Sequence, residues 1–502
     1  MMRYLLILLL SQSIVKAICQ QNIQLKITVE VEAALRNDFQ KDGRLTFHIT
    51  QLNNREPRNR SEIAIGITPE HWDPSKSFVI DTRHKNSLAI GLEDLSAHLS
   101  EKYYYQVTYK QNLDDANENA VGNLYSDVDS FSLINGASLH LQLNNQISPA
   151  VIVDHPFVQT VEIQSQYLSA FFGKPKYLKA TMLLPSGYFN DTTKSYPICY
   201  RVPGLNGKYS AINGMINDEN FSKWWFTKEA PQVIYVFLDS KGPYGDTYQL
   251  NSANNGPCGT ALTEELIPAI EKLVRYHPQS NRRYLAGKST GGWVALALQI
   301  FYPDLFDGTW SYSPDPVDFE HFGLIDIYHD STIFYNKYGY LQPGKRTIYG
   351  EPTYSMKDWI ARENVFSSTN DYRISGGQFG AYNAVFGPRG KDDLPSLLFD
   401  PLTGKIDHQI ALQWENFDLK KILEKNWATL GPKLQGKIWI WTGDMDGLYS
   451  NVATRFLQKF LEKTEHPASD ATISFTPMAG HTQAWDDKAV LNMIANKARK
   501  TP

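Results

Sequence analysis

The stretch Leu285-Ala286-Gly287-Lys288-Ser289-Thr290-Gly291-Gly292 leaves this chain less conformational choice than any other part of it. It follows an apolar run at 283–286 that reads as a strand and precedes a run at 293–301 that reads as a helix. A chain that passes from strand to helix across G-x-S-x-G turns so sharply that the serine is held in a strained conformation. Glycines on both sides remove side chains that would collide. Ser289 is thereby lifted above the strand end. The helix starting at Thr290 points unpaired backbone N–H groups to the same place, where negative charge develops during acyl transfer. Ser289 is the candidate nucleophile, and the Thr290 N–H a candidate donor to an oxyanion.

A serine hydroxyl is inert at its own pKa and needs a base, which an acid in turn orients. In the chain order Ser, acid, His, the histidine comes last. His481 sits in Met478-Ala479-Gly480-His481, beyond a strand candidate at 472–475, and is the candidate base. For the acid, a strand at 437–442 runs into Gly443-Asp444-Met445-Asp446-Gly447. Asp446 is favoured, because Gly-x-x-Asp spacing lets the chain clear the strand end before the carboxylate turns back. Asp444 and Asp315 remain alternatives. A second oxyanion donor is expected from the loop after an early strand. Here 198–202 leads into Pro203-Gly204-Leu205-Asn206-Gly207, and the Leu205 N–H is the candidate.

These motifs lie in a region, from about 175 to 502, where strand and helix patterns alternate. That is the signature of an α/β fold with a mostly parallel sheet and helices on both faces. Further strand candidates are 232–238 and 309–313. One helix is expected over 263–276, with Leu266, Ile267, Ile270, Leu273 and Val274 in one apolar stripe, and another from Thr290 to before Pro303. The alternation lapses at about 315–435 into an aromatic-rich insert containing Tyr328, Tyr335, Tyr338, Tyr340, Trp359, Tyr372 and Tyr382, which reads as lid-like. Residues 22–150 carry short alternating runs, Leu45, Phe47 and Ile49 on one face among them, and read as a small all-β, sandwich-like accessory domain. The boundary falls near Pro149. Two folded units suit a chain of 502 residues.

Residues 1–18 show a short positive head, an apolar run and a small residue at a plausible cut, so a signal peptide and a secreted or periplasmic protein are expected. Ile18 before Cys19 is bulky where lipoprotein signals place a small residue, so no lipid anchor is expected. No apolar run reaches the length of a membrane span. A net charge of -4 gives no attraction to phosphate backbones, so no nucleic-acid partner is expected. Three cysteines are too few for a disulfide framework, and a bridge between Cys199 and Cys258 stays open. No metal-ligand spacing occurs, and neither a metal nor a cofactor is expected. Asn59, Asn190 and Asn220 head glycosylation triplets.

Residues 197–207, 251–267 with Asn254-Asn255-Gly256-Pro257 and Thr263-Glu264-Glu265-Leu266-Ile267-Pro268, and 287–292 together resemble the putative esterase (esterase D-like) family of α/β-hydrolases. The resemblance covers roughly 175 to 490. It implies the α/β-hydrolase fold and carboxylic-ester hydrolysis through an acyl-enzyme. An N-terminal β domain is similar to that of enterochelin esterase-type members. Many members have His-Gly where this chain has Pro203-Gly204, which bears on the oxyanion loop. The expectation is a serine esterase acting on a small-molecule or carbohydrate-linked ester. A peptidase or acyltransferase on the same triad, or a silent binding protein on a hydrolase fold, are the alternatives.

Overall fold

Continuous apolar runs in this chain line up as parallel strands because both faces of each are covered. In the computed structural model the large sheet has eight strands. Their order is Val158–Ser165, Lys176–Leu183, Ile234–Leu238, Ile198–Val202, Arg283–Lys288, Gly308–Tyr312, Ile438–Gly443 and Thr472–Thr476. The first two pair antiparallel, as do the second and third; the last six strands run parallel. This is the mostly parallel sheet expected from the alternation, and it agrees with the α/β-hydrolase fold that the family resemblance implies. Aromatic side chains tie neighbouring strands in register. Trp310 stacks on Trp439 with centroids 4.6 Å apart and Tyr312 on Trp441 at 4.8 Å. Such cross-strand pairs are the unit of sheet stabilisation.

The structure describes residues 25–500 apart from 54, 83–86, 93–101, 133–136 and 279–281. The expected signal peptide at 1–18 and Cys19 therefore lie outside the described residues. The chain divides into two compact units, one of Met1–Pro149 with Ala361–Gly377, the other of Ala150–Ile360 with Gln378–Pro502. The larger unit thus reaches back before residue 175. Its edge strand Val158–Ser165 is polar and half-exposed, which hides it from a search for apolar runs. Among the described residues, no helix is long and apolar enough to cross a membrane. Cys199 and Cys258 are both free and buried.

The helix expected over 263–276 differs from what forms. It begins at Cys258–Thr260, widens to a π-helical stretch at Ala261–Leu266 and closes as Ile267–Leu273. Pro268 accounts for the widening: its ring would strike the carbonyl four residues earlier and it donates no N–H, so the preceding turn relaxes. Leu273, expected in the apolar stripe, is 52% exposed. The helix Thr290–Phe301 forms as expected and is buried along almost its whole length.

Much of the aromatic insert packs against itself. Phe319, Phe322, Phe379, Tyr382, Phe386 and Trp414 meet mostly edge to face, with centroids 4.9–6.3 Å apart. Tyr338 and Tyr340 stay exposed.

In the smaller unit, Leu25–Val31 lies between Phe78–Asp81 and Ala137–Leu143, and a larger sheet is centred on Arg44–Thr50 and Lys102–Lys110. The strand Arg44–Thr50 was expected to bury one face. It buries both: Leu45, Phe47 and Ile49 enter the core, while Arg44, Thr46, His48 and Thr50 are also fully buried. The second face is covered in part by Ala361–Gly377, a segment that sequence reading assigned to the insert. Arg44 donates twice to the Val365 carbonyl and Phe366 stacks on His48 at 5.7 Å.

Candidate active site

The elbow is built by close backbone approach. Ser289 has φ 58° and ψ -131°, a region that costs a non-glycine residue strain and persists only where surroundings enforce it. The enforcement is visible. The Ser289 N–H donates to the Tyr312 carbonyl at 2.9 Å, and its own carbonyl accepts from Gly292 and Trp293. A Cβ at Gly287 would lie 2.2 Å from the Gly291 carbonyl oxygen, and one at Gly291 2.4 Å from that of Val202. A side chain at either position would push the strand end and helix start apart.

His481 meets Ser289 and Asp446 at once. Its Nε2 is 2.9 Å from the Ser289 hydroxyl oxygen, and its Nδ1 2.8 Å from Asp446 Oδ2. An ionised carboxylate only accepts, so Nδ1 carries the proton and Nε2 is free to accept from Ser289. Asp446 is fully buried, and its other oxygen accepts from the Leu448 N–H at 2.8 Å. The loop is fixed to its neighbour. Met445 N–H donates to Ala479 O, and a Cβ on Gly443 would lie 2.2 Å from that oxygen.

Burial disfavours the charged imidazole, but the hydrogen bond and charge of Asp446 and the charge of Asp315 outweigh burial and nearby Lys345. The His481 pKa is raised above 6.5.

The other two aspartates go elsewhere. Asp444 pairs with Arg455. Asp315 is buried and accepts from the Tyr248 hydroxyl at 2.6 Å, Thr290 Oγ1 at 2.9 Å and Gln378 Nε2 at 3.0 Å. Burial raises its pKa against the lowering effect of those hydrogen bonds and of His481. Through Thr290 it braces the first residue of the helix. On the other side, Gly204–Gly207 form a turn closed by a 2.8 Å bond from Gly207 N–H to Gly204 O, with Asn206 at φ 60°. Leu205 lies in that turn, and Thr290 opens a helix whose first N–H groups have no partner within the helix.

Sequence reading missed Arg346. From the insert hairpin of Pro343–Arg346 and Pro352–Ser355, its Nε donates to Asp446 O at 3.0 Å and its Nη2 to Asp444 O at 3.2 Å. Its backbone N–H donates to Gly447 O at 2.9 Å, and its guanidinium lies over the Tyr449 ring. No local pattern marks it, because its partners lie a hundred positions away.

A strained serine on a strand-to-helix turn, hydrogen-bonded to a histidine at the C-terminal edge of a mostly parallel sheet, belongs to a serine hydrolase of the α/β-hydrolase class. Residues 175–389 match the family described as "Putative esterase", a match that supports a carboxylic-ester hydrolase. No curated protein sequence matches it. Among solved structures, a ferulic acid esterase is similar at 14% identity and a TM-score of 0.42, over 68% of this chain and 97% of that one. An S-formylglutathione hydrolase from Agrobacterium tumefaciens is similar at 12% identity and 0.37, over 70% and 98%. The fluorophosphonate-binding serine hydrolase F of Staphylococcus aureus is similar at 14% and 0.39, over 68% and 98%. The esterase class rests on the family match and not on these distant likenesses.

Proposed function

We propose that Ser289 hydrolyses a carboxylic ester through an acyl-enzyme, with His481 as general base and acid and Asp446 as its orienting carboxylate. The observation that carries this reading is the unbroken hydrogen-bond chain from Asp446 through His481 to Ser289. The Ser289 oxygen attacks the carbonyl carbon while His481 Nε2 takes its proton. The tetrahedral oxyanion is held by the Leu205 and Thr290 N–H groups, and losing one such donor costs about a hundredfold or more in rate. Collapse breaks the ester C–O bond, and His481 returns the proton to the leaving alcohol. A water deprotonated by His481 then attacks the acyl carbon and frees Ser289. Asp446 holds the imidazole tautomer throughout.

The substrate on this reading is a small-molecule or carbohydrate-linked ester, met in a secreted or periplasmic setting. Labelling with a fluorophosphonate probe tests the chemistry. Wild type should label and Ser289→Ala should not, and labelled protein should no longer hydrolyse 4-nitrophenyl acetate. Folded wild-type protein that neither labels nor turns over an ester would favour a silent binding protein instead.

A further inference from the structure

Beside the elbow lies a pocket of about 100 Å³ whose walls include Arg201, Gly204, Lys208, Gly287, Lys288 and Trp485. Its position in the chain is notable: Lys288 immediately precedes Ser289, Gly204 precedes Leu205, and Trp485 follows His481 in one loop. Gly204 and Gly287 contribute no side chain, so the pocket is bounded there by backbone.

Its charge is unbalanced. Arg201 pairs with Asp487 at 3.2 Å, and that carboxylate also accepts from the Tyr235 hydroxyl at 2.6 Å and Trp485 Nε1 at 2.9 Å. Asp487 is therefore committed. Among the described residues no carboxylate pairs with Lys288, whose ammonium lies 5.9 Å from the Trp485 ring centroid. Burial, and then the charge of Arg201, pull its pKa below the usual lysine range despite Asp487. A half-buried ammonium beside a guanidinium is an arrangement that an intervening anion relieves. At about 100 Å³ the cavity has room for a group the size of a carboxylate.

We propose that this pocket receives a carboxylate carried by the ester substrate, with Lys288 as its main contact and Arg201 as the second. The inference rests on the esterase reading and narrows it to esters with an anionic arm.

Two matched pairs of esters test it. One pair is 4-nitrophenyl monosuccinate and its methyl ester, with the charge on the acyl side. The other is the acetate ester of 4-hydroxybenzoate and that of methyl 4-hydroxybenzoate, with the charge on the alcohol side. Wild type should prefer the anionic member of at least one pair by about tenfold or more in kcat/KM, as a charge-assisted contact supplies. Lys288→Met should abolish the preference, and Lys288→Arg should keep much of it. Binding of succinate to the Ser289→Ala protein, followed by calorimetry, should be saturable and lost on adding Lys288→Met. Turnover of both neutral esters with no anionic preference would overturn the pocket and leave the esterase reading standing. No turnover of any ester, with succinate binding that depends on Lys288, would fail the esterase reading and leave the pocket. Absence of both would overturn both.

Discussion

The guanidinium of Arg346 donates from Nε to the carbonyl oxygen of Asp446, so a residue of the insert holds the backbone of the proposed acid. The same group reaches Asp444 O and Asn451 Oδ1, which makes it a fork across the whole turn. Arg346→Met should lower kcat about ten- to hundredfold with a smaller change in KM, the cost of a misplaced reacting group. Arg346→Lys should not restore it, because a single ammonium cannot span two carbonyls as the planar fork does. Steady-state kinetics beside an unfolding curve separate positioning from unfolding. Unchanged kcat in a folded Arg346→Met protein would remove the residue from the mechanism.

The acid limb of kcat/KM follows from His481. From the sequence alone, activity is expected to fall below about pH 6 to 6.5, where free imidazole is protonated. Asp446 and Asp315 raise the folded value, so the midpoint should lie above about 6.5. The sign is direct: as pH falls through that midpoint the ring is protonated and can no longer accept from Ser289. Asp446→Asn removes the main raising influence and leaves only the charge of Asp315 against burial and Lys345. Its midpoint should move to lower pH while kcat drops by about four orders of magnitude. A pH–rate profile of both proteins decides it, and a wild-type profile flat to about pH 5 would refute the base assignment.

The parts of this architecture that are legible in sequence are those with local signatures. Ile198–Val202 reads as a strand because it is a short β-prone run, apolar apart from Arg201 and buried over most of its length. Ser289 reads as a nucleophile because its glycines answer contacts made within a few residues and with the adjoining strands. Chain order points to His481 and to the 444–446 turn, and the fold brings Asp446 to His481 while Arg455 engages Asp444. Arg346 and Lys288 are silent in sequence, because each acts through partners brought together by the sheet. The covering of Arg44–Thr50 is equally silent. It pairs cationic side chains with backbone carbonyls some three hundred positions away, which imposes no periodicity.

Asp246 makes stability depend on pH. It is buried, accepts from Ser240 Oγ at 2.7 Å and the Tyr248 N–H at 2.8 Å, and its pKa is pushed up to about 7. Burial is the main cause, and the charges of Asp315 and Asp239 add to it against those hydrogen bonds. The folded value lies above the unfolded one near 3.9, so the native state holds a proton that the unfolded chain has released. That contribution is complete below about pH 4 and is lost as pH rises through about 7. Between pH 5 and 8 wild type should lose on the order of a few kcal/mol from this group. Asp246→Asn should lose less over the same interval in denaturant titrations. Equal losses in the two proteins would contradict the assignment.

Arg44 is the residue on which capture of the Ala361–Gly377 segment most depends. Its Nε and Nη2 both donate to the Val365 carbonyl, at 2.9 and 2.7 Å, and Nη1 donates to Thr68 Oγ1 at 3.1 Å. Gly66 permits the approach, since a Cβ there would stand 2.2 Å from the same carbonyl oxygen. Lys110 repeats the device with bonds to Phe366 O at 2.9 Å and Ser375 O at 3.1 Å. Arg44→Met would leave a buried carbonyl without its donor, at a cost of about 1–3 kcal/mol. Because that cost falls on the segment, amide exchange should accelerate over 361–377 more than in the strand Leu25–Val31, which does not carry the contact. Gly66→Ala should act in the same direction by displacing Val365 directly. Hydrogen exchange read by mass spectrometry resolves the two regions. Acceleration spread evenly over the unit would mean that Arg44 supports the sheet and not the segment laid upon it.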